Sequence, residues 1–197
     1  MLLVLVIGFL VAGIFSEEYR TGASAVFFSA ALGRDKAVRA KLKAGLLLIT
    51  VVYWLTIAGF TAGVLLELGV GGAGCRIQTS IQGWTSFYNI TFLQEYMLIA
   101  VGGYIGCLFM DSLAMLVSAK TKSTVVAVIV PFAVLFAPAV IKVMESPLAE
   151  KVEGLMPYQL VQMNSVIREF YIYKIPGRIV GAAGILLVVY LVLANIT

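Results

Sequence analysis

Residues 96–143 read YMLIAVGGYIGCLFMDSLAMLVSAKTKSTVVAVIVPFAVLFAPAVIKV, two apolar runs on either side of a short basic link. A helix needs about 20 apolar residues to cross a ~30 Å hydrocarbon core at 1.5 Å per residue. Residues 96–119 and 124–143 each meet that requirement, and Lys120 and Lys122 lie between them. The stretch therefore predicts two membrane helices joined by a tight turn. Asp111 is the one acid well inside an apolar stretch.

Further apolar runs cover residues 44–66 and 179–196. A shorter one, 2–15, would make a helix of only ~21 Å. It resembles the apolar part of a signal peptide, but no Lys or Arg precedes it. It reads as the remnant of a helix whose start is missing, in a chain that is a fragment or has a misassigned start. The predicted fold is an all-α, polytopic transmembrane bundle of about five spans in one domain, 1–197.

Composition agrees. Hydrophobic residues are 61% of the 197, against 12% charged, and mean hydropathy is +1.03. A soluble domain carries roughly 25% charged residues, so there are too few polar side chains here to cover a globule in water. The chain has no histidine and two cysteines, Cys75 and Cys107. A zinc site needs about four Cys, His or acidic ligands, and none is expected. With no histidine there is no HExxH motif and no Ser-His pair, and one intramembrane acid cannot form an aspartyl dyad, so no catalytic residue is expected. Nucleic-acid binding needs an exposed basic surface, which the charge distribution does not supply.

That distribution is first a topology signal. Residues 16–43 hold Arg20, Arg34, Lys36, Arg39, Lys41 and Lys43, whereas 67–95 hold only Arg76. The positive-inside rule puts segment 16–43 and the Lys120/Lys122 link in the cytoplasm of a multi-pass cell-membrane protein. The glycine-rich loop and segment 145–178 then face outside. In the latter, Leu155, Tyr158, Leu160, Val161, Ile167, Phe170, Tyr171 and Tyr173 recur at mixed helical spacing, punctuated by Pro147, Pro157 and Pro176. One or two short helices lying against the membrane surface are predicted, with tyrosines at the interface.

Other motifs have plain readings. Gly69 to Gly74 matches GxGxxG, but it follows a membrane helix rather than a strand, so a flexible turn is the better reading. Gly59/Gly63, Gly102/Gly106 and Gly177/Gly181 have the spacing that lets helices approach closely in lipid; Gly102 and Gly106 are the pair taken as a helix contact. Pro131 and Pro138 share a helix face and predict a bend. Asn89 and Asn195 open short glycosylation triplets that carry little weight. Asp111 lies nine residues, or ~13 Å, from Lys120, toward the bilayer middle. It is either a pathway contact for substrate or protons, or a structural group bonded to Ser112, a neighbouring helix or a subunit seam.

Segment 16–43, SEEYRTGASAVFFSAALGRDKAVRAKLK, carries the functional argument. Ser16 can cap a helix whose first turn holds Glu17 and Glu18, where the helix dipole favours acids. Gly33 can stop it, and Asp35 can cap the next helix, which is basic at its start and runs into the membrane. The product is a short helix over about 17–32 at the cytoplasmic face. Acidic at its start and uncharged through its middle, it lacks the cationic face of a lipid anchor and suits docking to a partner.

Glu18-Tyr-Arg-Thr-Gly22, then Gly33-Arg34, then Ala40-Lys41, resembles the segment that follows the second span in permease subunits of ABC-type-2 transporters. The Ser118-Ala-Lys-Thr-Lys122 link, the outer segment around Met156-Pro157 and the last span fall in the same order. In that family this segment is the coupling helix, seated in a groove of the ATP-binding subunit. The resemblance implies a cytoplasmic ATP-binding cassette ATPase as partner, a second identical or similar permease, and export. It puts Glu18, Arg20, Thr21, Gly22 and Arg34 at the ATPase contact. ATP would be bound by the partner, since this chain has no P-loop and needs no cofactor of its own. The family has one more span at its start, which fits the fragment reading. Two rivals share the composition: a non-transporting interaction or assembly protein, and a proton-coupled transporter using Asp111.

Overall fold

A computed structural model describes residues 3, 4, 6–8, 35–121, 123–141, 151–168, 171–175 and 178–196. The chain is mostly helical. Helix α1, Asp35–Leu68, is 34 residues long, about 51 Å. It takes in the basic residues Lys36 to Lys43 ahead of the expected apolar run. Gly69 ends it, with φ of 72° and its amide on the Leu65 carbonyl at 3.0 Å. This is the left-handed stop that a residue without Cβ adopts most cheaply.

Helix α2, Phe92–Thr121, starts at a reciprocal cap. The Thr91 amide donates to Gln94 Oε1 at 3.0 Å, and the Gln94 amide to Thr91 Oγ1 at 3.3 Å. Two otherwise orphaned donors are thus satisfied. Helix α3, Thr124–Ile141, holds Pro131 and Pro138 within it. Both prolines are buried, on the face that also carries Ala127 and Leu135.

Two helices, Val38–Leu68 and Phe92–Thr121, are long and apolar enough to cross a membrane; Val125–Pro138 and Ala182–Asn195 are shorter apolar helices. The central one is α2, which touches every other named helix. In the most apolar windows of the two long helices, 44% of residues are buried for α2 and 11% for α1. Much of α1 is therefore bare, with Leu47, Leu55, Phe60 and Leu66 exposed.

The outer segment departs from expectation. Short helices α4, Pro157–Val161, and α5, Met163–Arg168, pack onto the bundle. Leu160, Met163, Val166 and Ile167 are fully buried against α2 and the last helix, in a cluster with Ile77, Ala182 and Leu186. The apolar residues point inward from both short helices, so the pair is part of the bundle. An unforeseen antiparallel hairpin follows, β1 Ile172–Ile175 and β2 Arg178–Gly181, paired from Ile172↔Gly181 to Ile175↔Arg178. The expected last span at 179–196 begins too early: 179–181 belong to β2, and α6 is Ala182–Ile196. β-Branched Ile179 and Val180, apolar enough to read as span, pair with the strand instead. A second cluster joins α1, α2, α3 and residues 3–7 through Ile49, Tyr53, Met110, Leu135, Val4 and Ile7.

Candidate functional site

The buried face of α2 carries Asp111 with Cys107, Ala114, Met115 and Ser118. Asp111 is 5% exposed, and its Oδ1 has no hydrogen-bond partner among the described residues. Ser112 does not supply one; its hydroxyl donates to the Leu108 and Phe109 carbonyls at 2.9 and 3.0 Å. A buried carboxyl oxygen with nothing to accept from is costly, and in lipid it marks a place where a proton, ion, water or partner group is expected. Cys107, one turn away, is a free buried thiol.

Gly102 and Gly106 lie nearer the start of α2, where α4 and α5 cross it. A Cβ added at Gly102 would lie 2.8 Å from Met163 Cε and 3.3 Å from the Leu160 carbonyl oxygen. One at Gly106 would meet Leu160 Cβ and Val161 Cγ2 at 3.4 Å. The small residues thus admit the short helices α4 and α5. Gly103 faces the other way, where a Cβ would lie 2.6 Å from the Tyr53 hydroxyl. Gly59 and Gly63 have nothing within 4 Å.

Hydroxyls line the seam between α1 and α2. Tyr53 donates to the Ala100 carbonyl at 2.6 Å, Thr50 and Tyr104 share a bond of 2.9 Å, and Thr61 pairs with Tyr96. Trp54 closes an aromatic group with Tyr53 and Tyr104.

The loop between α1 and α2 is built rather than loose. The Ile77 amide donates to the Ile90 carbonyl at 3.1 Å, Gln78 to the Tyr88 carbonyl at 2.7 Å, and Ser86 to the Ile167 carbonyl at 2.6 Å. Arg168 Nε donates to Glu95 Oε1 at 3.2 Å, and its Nη1 donates to Gln82. Glu95 is 5% exposed and Arg168 22%. Tyr173 donates to the Lys151 carbonyl at 2.7 Å. Burial pushes both the Tyr173 and Tyr88 phenols above their ordinary value.

The ion pair was open to sequence reading only as two separate charges, an acid at a helix start and a base in a mixed segment. No local spacing joins positions 73 apart. Glu18, Arg20, Thr21, Gly22 and Arg34, the expected ATPase contact, lie outside the described residues. So does the surface helix over 17–32 and most of the expected span at 2–15. No group of His, Cys, Asp and Glu that could hold a metal occurs among the described residues. No protein-family model, curated protein or solved structure matches the chain.

Proposed function

We propose that this chain is the membrane permease subunit of an ATP-driven ABC exporter. It would have about five spans, with residues 16–43 in the cytoplasm. The bare apolar surface of α1 supports a lipid setting, because water would not tolerate so much exposed leucine and phenylalanine on one helix. Helices α3 and α6 would be two further crossings; both are apolar throughout.

The observation that carries the coupling is the continuity of α1. The helix starts at Asp35, two residues past Gly33, and runs unbroken through the basic residues to Leu68. A partner ATPase that closes on ATP would push the segment before Gly33, and α1 would carry that motion across the membrane. Glu18, Arg20, Thr21, Gly22 and Arg34 would make the contact, and substrate would pass between helices of two such subunits. The test is affinity capture of the tagged chain from native membranes in mild detergent, with a Gly22→Trp variant alongside. A P-loop ATPase recovered with the parent chain and lost with the variant is expected. Recovery of none overturns the proposal.

The partnerless Oδ1 of Asp111 favours a second reading, a proton-coupled transporter. Asp111→Asn in reconstituted vesicles separates the two. Unchanged transport removes the proton relay, while uptake driven by a proton gradient without ATP removes the ABC permease.

A further inference from the structure

Residues 80–87 expose Ile81 at 93%, Trp84 at 71% and Phe87 at 61%. Such large apolar side chains are unusual on an ordered loop, and this one is ordered. Its ends are tied by the Ser86 bond to Ile167 and the Gln82 bond to Arg168. The Gly83 amide is held on Ser80, by the carbonyl at 3.2 Å and by Oγ at 3.0 Å. A Cβ at Gly83 would collide with the Ile77 carbonyl, so the turn is tight against its own base.

Depth identifies what covers these apolar side chains. Counting about 20 residues of hydrocarbon core from Lys43 puts the outer boundary near residue 64 of α1, and the Thr61–Tyr96 bond brings Tyr96 of α2 close to that level. Leu68 and Phe92 then each lie ~6 Å beyond that level, within a headgroup layer ~5–8 Å thick. Tilt of the two helices would lower the loop further. From residue 68 to 94 the only charge is Arg76, so no acid repels lipid phosphate. Exposed Leu66, Leu68 and Val70 continue the apolar surface from α1 into the loop. Tryptophan and other aromatic rings concentrate in this layer, where one part of the ring can be dry and another wet.

We propose that residues 80–87 are an interfacial anchor that sets Ile81, Trp84 and Phe87 into the headgroup layer of the leaflet opposite the basic segment. The inference rests on α1 and α2 being spans. By holding the loop at a fixed depth, the anchor also fixes the height of α5, to which it is bonded through Ile167 and Arg168.

The two tryptophans make the test self-controlling. Trp54 lies near the bilayer centre on α1 and is 42% exposed to its surroundings. The full chain and a Trp84→Phe variant are reconstituted in phosphatidylcholine vesicles. The variant reports Trp54, and the difference between the two spectra reports Trp84. Quenching is read with lipids brominated near the headgroup or near the chain end, and with aqueous iodide. Trp54 should respond to the deep bromines. Trp84 should be quenched about twofold more by the shallow bromines than by the deep ones and be shielded from iodide. Iodide quenching of Trp84 like that of free indole, or stronger quenching by the deep bromines, overturns the anchor while leaving the spans intact. A Trp54 that no bromolipid quenches overturns the spans and the anchor with them.

Discussion

Helices α1 and α2 are similar in length and apolarity but live in different surroundings. Besides apolar packing on α3 and α6, α2 has glycines that let α4 and α5 touch its backbone and hydroxyl bonds that join it to α1. Outside that seam and the packing of Ile49 and Tyr53, much of α1 is exposed, and its own glycine pair, Gly59 and Gly63, has no described atom within 4 Å of an added Cβ. Identical spacing in two neighbouring helices therefore has opposite structural meaning. What decides it is whether the rest of the chain reaches back over the helix.

The sharpest way to break the comparison is to enlarge both glycine pairs. Gly102→Leu drives new atoms into Met163 and the Leu160 carbonyl, and should cost about 3 kcal/mol of stability. Gly59→Leu should stay within about 0.5 kcal/mol. Reversible unfolding in mixed micelles, followed by helical circular dichroism, measures both; equal losses would show that α1 is as closely covered as α2.

Next in size is the Glu95–Arg168 pair, which pins α5 to the start of α2. Arg168→Ala leaves a buried carboxylate without its cation and should cost about 2 kcal/mol, discounted for the partial exposure of Arg168. Adding Glu95→Gln should recover part of that loss in a double-mutant cycle. Additive effects would show that the two side chains do not sense each other.

The smallest effect belongs to the hydroxyl seam. Tyr53→Phe keeps the ring and loses the bond to the Ala100 carbonyl, at a cost of about 1 kcal/mol. Thr50→Ala should cost less, roughly 0.5 kcal/mol, because its hydroxyl also has its own Leu46 carbonyl at 2.7 Å. A larger loss at Thr50 than at Tyr53 would place the main α1–α2 attachment nearer the basic end.

The long helices were legible because apolar runs without proline have few alternatives, and Gly69 is a stop that local chemistry announces. Thr91 with Gln94 is an equally readable start, a reciprocal cap of the Thr-x-x-Gln type. The Gly102/Gly106 spacing pointed to a close contact, but nothing local says that the visitor is a five-residue helix 55 or more positions later. The hairpin was illegible for a related reason. Strands of four residues give too little alternation to see, and Ile179 and Val180 suit a span as well as a strand. Asp111 stood out by composition alone, whereas the lack of a partner for its Oδ1 is a fact of packing.

Helix α1 has a mechanical consequence as a lever. Uninterrupted by proline, it runs about 51 Å from Asp35 to Leu68. Among the described residues its side-chain hydrogen bonds to the rest of the bundle run along α2, and much of its remaining surface is exposed. A rotation of roughly 5° about the basic end carries the far end by about 4 Å, most of one helical turn. A displacement of that size is delivered where Leu68 meets the glycine-rich loop, so a small change of angle at the basic end becomes a loop-scale movement at the other.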